Sequence, residues 1–300
     1  MKRGWFVENL AKLVREVLQS PEAEVKNIIK MGGMTNMNYQ VTINSRNYVV
    51  RLPGNGTGEF INRKEEKDNL EFSYTLGINP ELLYFDVETG LKITEKIVDA
   101  TTLTKDLAKK AEVMAKVIQV FQTLHTSKVQ MKNRFDLFRL MNGYEQLAFA
   151  EKVTFFDGFE EVKKDVMALK EYYKAMKVEE APCHIDPTCA NFIRDGQDKI
   201  YLIDWEYGGM FDPLWDLAAH SLESGFSVLE EEFFLKTYFQ RDLTKGEAER
   251  ILAHKIFQDY LWSIWTLFKE AKGDDFGAYG KNRFERAKKN IALFKETYGK

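Results

Sequence analysis

The stretch Cys183-His184-Ile185-Asp186-Pro187-Thr188-Cys189-Ala190-Asn191, followed by Ile200-Tyr201-Leu202-Ile203-Asp204-Trp205-Glu206, decides how this sequence is read. It sets Asn191 a short loop after Asp186 and puts a second aspartate, Asp204, at the end of an apolar strand. Phosphoryl transfer asks little covalent chemistry of a protein and depends on positioning and on carboxylate-held Mg²⁺. The spacing suits that chemistry. In such a site Asp186 would accept a hydroxyl proton, while Asn191 in the same loop and Asp204 at the strand end would serve as metal ligands. Each piece alone has a plainer explanation. An aspartate ending a strand is more often a turn-former or a cap, and Asp212-Pro213 and Asp216 read the same way. Order and spacing together carry the functional reading: His-x-Asp, Asn, strand, Asp-Trp-Glu, then Asp212-Pro213-Leu214-Trp215-Asp216-Leu217-Ala218.

The rest of the composition bounds what surrounds this core. Three hundred residues suffice for two compact lobes or one large domain. Hydrophobic residues make up 44% and charged residues 30%, as in an ordinary soluble globular protein. A net charge of −3 gives no reason to expect nucleic acid as a partner. No apolar run approaches a membrane span, so no membrane insertion is expected. The N-terminus opens with Lys2 and Arg3, but Glu8, Asn9, Lys12, Arg15 and Glu16 interrupt any signal-peptide core. Phe6, Leu10, Leu13, Val14 and Val17 share one helical face and predict a docking helix. Only two cysteines occur, Cys183 and Cys189, flanking the Asp186 loop. A disulfide there would strain the loop, and two thiols point to a reducing cytoplasm. Zinc is not expected, because these cysteines and His184 lack a second ligand pair at zinc spacing. His125, His220 and His254 read as packed helix residues.

Along the chain, alternating apolar residues predict strands over 25–31, 39–43 and 48–52, with a Gly-rich turn at 32–38 and a hairpin tip at Asn44-Ser45. A loop follows at 54–58 and a helix at 61–76, then a hairpin formed by 82–85 and 91–94. From Leu103 onward long amphipathic helices dominate, at 105–125, 137–152 and 159–176, interrupted by short strands around the Asp186 loop. The expected class is α+β, with two unequal lobes, a small sheet-based N-lobe and a larger, mainly helical C-lobe, and a cleft between them for a nucleotide. The boundary falls near 97–100, dividing the chain into 1–98 and 99–300. The Gly32-Gly33 turn is not a Walker A loop, since it lacks Gly-Lys-Ser/Thr and leads into a strand.

In Cys183-His184-Ile185-Asp186, Asn191-Phe192, Ile203-Asp204-Trp205-Glu206-Tyr207 and Trp215-Asp216-Leu217-Ala218 the sequence resembles the choline/ethanolamine kinases, especially bacterial members, within the aminoglycoside-phosphotransferase group of protein-kinase-like folds. The resemblance runs from the Gly-rich turn to the segment 279–286. Pro187-Thr188-Cys189-Ala190 departs from the more polar stretch usual there, which loosens inference about loop contacts. The resemblance implies ATP and Mg²⁺ as cofactors and a bilobal kinase fold, with a nucleotide-binding lobe over 1–98 and a catalytic, acceptor-binding lobe over 99–300. The Gly-rich turn becomes a flap over phosphates, with Gly33, Thr35 and Asn36 as nucleotide contacts. Arg51 takes the place of the protein-kinase lysine, and the family's Arg-x-x-Glu pattern selects Glu66 rather than Glu65 as its partner. His184 and Asp216 shape the loop. On the acceptor side the family pattern maps onto Trp262, Trp265 and Tyr279, which would line a choline pocket, and onto Glu223, which would balance the cation. Ring faces suit a quaternary ammonium, which has no N–H to donate. The reading is an ATP-dependent choline kinase; the alternatives are a kinase for ethanolamine, thiamine or an aminoglycoside, and an idle kinase-fold binding protein.

Overall fold

The computed structural model describes residues 3–32, 36–53 and 61–299, with side chains from residue 8 onward. Its contacts divide the chain into two compact units. One comprises the described residues up to Leu103 with Met131–Asn133 and Ala190–Gly208; the other comprises Thr104–Gln130, Arg134–Cys189 and the described residues from Gly209 on.

The first unit opens with helix α1 (Arg3–Val17) and strands β1 (Val25–Lys30), β2 (Met37–Ile43) and β3 (Arg46–Leu52). Helix α2 (Arg63–Thr75) precedes β4 (Leu82–Phe85) and β5 (Lys92–Glu95), and the sheet runs β1-β2-β3-β5-β4, antiparallel throughout. Period-two alternation turns Val41, Ile43, Tyr48, Val50 and Ile93 inward, where Leu10 and Val14 of α1 complete one buried cluster. The predicted docking helix therefore docks on this sheet. Asn44 and Ser45 at the hairpin tip both have positive φ, 46° and 67°, the backbone that a tight two-residue hairpin demands. Strand β3 begins closer to that tip than apolar patterning predicts, at Arg46 rather than Tyr48. Asn47 explains this, since its Oδ1 accepts from Thr42 Oγ1 at 2.7 Å and Gln40 Nε2 at 3.2 Å across the hairpin. Asn62 caps α2 by accepting from the backbone N–H groups of Lys64 and Glu65.

After the short strand β6 (Thr101–Thr102) come α3 (Lys105–Ala108), α4 (Ala111–His125), α5 (Leu137–Ala150), α6 (Phe159–Ala175) and β7 (Ala181–Cys183), all of the second unit but β6. Sequence periodicity predicts one helix over 105–125; the structure splits it. Lys110 leaves the helical region with ψ of 129°, and its carbonyl accepts from Val113 and Met114 to start α4 afresh. Strands β8 (Phe192–Arg194) and β9 (Ile200–Leu202) belong to the first unit and pair there in the order β6-β8-β9.

The second unit continues with β10 (Gly209–Phe211), antiparallel to β7, and helices α7 (Leu214–Ser224), α8 (Val228–Phe239), α9 (Lys245–Ala271) and α10 (Tyr279–Tyr298). Helix α9 packs against α5, α6, α7 and α10, which is why its buried residues lie on more than one face. Ser227/Glu230 and Thr244/Glu247 form reciprocal capping boxes at the starts of α8 and α9. Gly225 ends α7 in the left-handed conformation, φ 63°. Gly280 lets α10 approach α9 closely, since a Cβ there would lie 2.8 Å from Thr266 Cβ.

His220 on α7 is fully buried, with Nδ1 3.0 Å from the carbonyl of Pro187 and Nε2 3.3 Å from Ser224 Oγ. Burial pushes its pKa down from 6.5 to about 4, against a smaller opposing pull from that carbonyl. An unfolded histidine takes up its proton near 6.5, so between those values the unfolded chain binds more protons and stability falls as pH falls. This one group is worth about 3 kcal/mol, fully present above pH 6.5 and lost as pH drops through about 4. The gap in melting temperature between pH 7 and pH 4.5 should therefore narrow in His220→Gln. An equal gap in both chains would show that this imidazole does not drive the acid limb.

Candidate active site

Among the described residues two clusters of candidate functional side chains emerge, one in each unit. In the first, Arg51 near the end of β3 and Lys92 at the start of β5 stand directly opposite each other in the sheet. Like charges so placed repel. Carboxylates on three sides offset that repulsion. Arg51 Nη2 is ion-paired with the fully buried Glu66, and Arg51 Nη1 lies 2.9 Å from Asp204 Oδ1. Lys92 Nζ is 3.6 Å from Glu66 and 3.7 Å from Asp204. Glu206 approaches Arg51 at 3.7 Å and Arg63 at 3.8 Å, and Arg63 also holds Glu66 at 2.8 Å. Helix α2 is fixed here by Asn69, whose Nδ2 donates to the carbonyl of Gly208 at 2.7 Å.

The electrostatics follow from enclosure. Burial alone would lower the pKa of Arg51, but Glu66, Asp204 and Glu206 outweigh it and hold the guanidinium charged. Lys92 is pushed down, first by burial and then by the charge of Arg51. Glu206 is pushed up, first by burial and then by the like charge of Asp204. Asp204 differs from its neighbours in exposure, with 30% of its side chain open against 0% for Glu66 and 9% for Glu206. Its φ of 70° is unusual for a residue with a side chain and turns the chain sharply after β9. The turn is pinned where the Ile203 N–H donates to the carbonyl of Asn191 at 2.9 Å, so Asn191 and the Asp204 strand are tied through backbone. Carboxylate oxygens of Glu66, Asp204 and Glu206 lie within 4.8 Å of one another, close enough to share a cation.

In the second unit, Asp186 follows Ile185, a β-branched residue at φ 76° and so a backbone outlier. Asp216, enclosed on α7, holds it there. Its Oδ2 accepts the His184 N–H at 2.7 Å and its Oδ1 accepts the Ile185 N–H at 2.8 Å. Trp215 Nε1 donates to the Ile185 carbonyl at 2.8 Å, and the Thr188 N–H donates to the Asp186 carbonyl at 2.9 Å. Both sides of Asp186 are thereby anchored, while its side chain stays half-buried.

The aromatic residues singled out on the acceptor side also lie in this unit. Trp262 and Trp265 meet edge-on at 6.1 Å on α9, and Trp265 packs on Phe276 at 4.9 Å. Tyr279 opens α10, 37% exposed, and its hydroxyl donates to Glu223 Oε1 at 3.3 Å. Glu223 is ion-paired with Arg283, whose guanidinium lies 4.9 Å over the Tyr279 ring and reaches Asp259 at 2.9 Å. Burial and then the negative charge of Asp186 push the Tyr279 hydroxyl up, keeping it protonated.

The expected residues thus fall into sets. Arg51, Glu66 and Asp204 meet in the first unit, which also contains Asn191 and the buried Asn36. Gly33 and Thr35 lie outside the described residues. Asp186, Glu223, Trp262, Trp265 and Tyr279 belong to the second unit. Sequence reasoning missed Lys92, which only strand register sets beside Arg51. Glu206 and Arg283 fall within the recognised segments but carried no role there. Arg63, the arginine of the Arg-x-x-Glu pattern, served only to select Glu66 and carried no role of its own, although its i,i+3 spacing to Glu66 was a legible signal.

The chain is similar to known proteins. The choline/ethanolamine kinase family matches residues 26–288. Protein LicA of Haemophilus influenzae is 29% identical over 276 residues, spanning 86% of this chain and 77% of that protein. Choline kinase LicA from Streptococcus pneumoniae has a solved structure that is 39% identical, with a TM-score of 0.82 and coverage of 95% of this chain and 99% of that one. A structure of LicA in complex with AMP is likewise 39% identical, with a TM-score of 0.83 over 95% of this chain and 98% of the other. The sheet-rich N-terminal region, helical C-terminal part and matched neighbours make this a protein-kinase-like fold. On the extent of the family match and the likeness of fold, the chain belongs to the choline/ethanolamine kinase family.

Proposed function

We propose that this chain is a choline kinase, transferring the γ-phosphate of ATP to the hydroxyl of choline to give phosphocholine. The observation that carries the choline assignment is the Tyr279 face, partly exposed and already stacked by a cationic guanidinium beside Glu223. A ring that stabilises one diffuse cation suits another, and Trp262 and Trp265 supply further faces. The choline kinase activity named for the pneumococcal relative supports the same reading.

In this reading the first unit serves the nucleotide and the second the acceptor. Arg51 and Lys92 bring positive charge to the phosphates, with Glu66 fixing both cations in place. Gly33, Thr35 and Asn36 contribute from the Gly-rich turn. Asn191 and the open carboxylate of Asp204 are hard oxygen donors of the kind Mg²⁺ takes, and they would hold it. Bound there, the ion would neutralise charge on the phosphate oxygens. Asp186, its backbone locked by Asp216, orients the acceptor hydroxyl and takes its proton. The two thiols, both free and buried, agree with a cytoplasmic enzyme. Among the described residues no helix is long and apolar enough to cross a membrane.

Steady-state assays with ATP and choline test the roles. Asp186→Asn should lower turnover by about 10²–10⁴-fold while nucleotide affinity stays near wild type. Asp204→Ala should weaken nucleotide binding as well. Normal turnover in Asp186→Asn would remove it from the proton-transfer role.

The acceptor is tested by comparing choline with ethanolamine in the wild type and in Tyr279→Ala. A desolvated cation–π contact is worth about 2 kcal/mol, or roughly thirty-fold in affinity. Wild type should prefer choline, and Tyr279→Ala should raise the KM for choline by about one order of magnitude with that for ATP unchanged. Ethanolamine preferred by the wild type would replace choline as the substrate, with Glu223 as the acceptor of its N–H donors.

A further inference from the structure

We propose that His125 and Tyr238 are positioning residues for the catalytic loop, acting through Asp216. His125 ends α4 and Tyr238 lies near the end of α8, so both are remote in sequence from the loop they serve. The Tyr238 hydroxyl is 2.9 Å from His125 Nδ1, and His125 Nε2 is 3.2 Å from Asp216 Oδ2. The His125 side chain is 2% exposed and that of Asp216 is fully enclosed. The carboxylate of Asp216 accepts, so Nε2 donates to it and the lone pair left on Nδ1 accepts from the Tyr238 hydroxyl. The imidazole proton then resides on Nε2 and is donated to the carboxylate, which fixes the tautomer.

Asp216 works under a tight geometric constraint. One carboxylate must present its two oxygens to the successive N–H groups of His184 and Ile185 while Ile185 itself sits in a strained backbone conformation. Rotation about the carboxylate's own axis would release one of those bonds. A third donor on Oδ2 opposes that rotation, and His125 supplies it from α4, an element that carries no part of the loop. The chain from Tyr238 through His125 and Asp216 to the His184 and Ile185 amides therefore sets where Asp186 points. Cys183 lies close enough to complete a metal-type trio with His125 and Asp216, but its thiol faces the carbonyls of Ala181 and Phe211 at 3.4 and 3.5 Å, and both imidazole nitrogens are occupied. Those contacts favour the hydrogen-bond chain.

The inference rests on Asp186 as the acceptor-side base, and the test separates the two. His125→Leu, His125→Gln and Tyr238→Phe are made in the full chain, with kcat, both KM values and amide exchange of a peptide spanning residues 183–189 measured for each. His125→Leu should lower kcat by about tenfold, leave both KM values within about twofold, and speed exchange in that peptide. His125→Gln, whose amide can donate to Asp216, should recover most of both losses, and Tyr238→Phe should fall between. Wild-type kcat or wild-type exchange in His125→Leu would overturn the proposal, as would a glutamine variant as impaired as leucine. If His125→Leu does not fold, Tyr238→Phe decides alone, since it removes a single oxygen; unchanged kcat and exchange there overturn it. Exchange is read without substrate, so normal turnover in Asp186→Asn would refute the base assignment while leaving the exchange result standing.

Discussion

The carboxylate of Asp216 gripping two consecutive backbone amides is the interaction on which the Asp186 loop depends. Ile185 would not hold φ at 76° unaided, because a β-branched side chain in that region meets its own backbone. The two short bonds from Asp216, with the Trp215 indole on the Ile185 carbonyl, over-determine the conformation. Helix α7 thus does more than fill space. Its first turn carries the residues that hold the loop, and a turn further on His220 reaches Pro187 just past Asp186. Losing the carboxylate would free two buried N–H groups at once, each costly to leave unmade.

The first unit solves a different problem, that of assembling cations where phosphates are expected. Placing Arg51 opposite Lys92 on neighbouring strands is unfavourable in itself. Glu66, held by a capped helix, and the carboxylates after β9 make it tolerable, and the resulting network mixes charges of both signs behind one open carboxylate, Asp204. Buried ion pairs contribute modestly to stability, because desolvation offsets much of the attraction. Their value here lies in orientation: every partner of Arg51 constrains where its guanidinium can turn.

On the acceptor side, Arg283 changes the meaning of Glu223. A lone acidic residue near an aromatic pocket reads as a counter-charge for a substrate cation. In the structure that carboxylate already has a guanidinium, which also stacks on Tyr279 and bonds Asp259. Around Tyr279 the side chains thus present a ring face and an internally balanced ion pair rather than bare negative charge.

Sequence alone determined much of the order of elements and the spacing of the loop's polar residues. Alternation in 39–52, the Asn44-Ser45 tip and the spacing of Asp186, Asn191 and Asp204 are local patterns, legible because periodicity and turn chemistry act over a few residues. The resemblance carried by Asp204-Trp205-Glu206 and Trp215-Asp216 supplied the family, and with it the choice of Glu66 over Glu65. Other features needed the tertiary structure. Lys92 meets Arg51 only through strand register, and His125 meets Asp216 only because α4 and α7 share a core. Arg283 reaches Glu223 only because Gly280 lets α10 settle on α9. Each of these joins residues distant in sequence, and which distant side chains share one enclosed volume is fixed by packing, a constraint that no local pattern encodes.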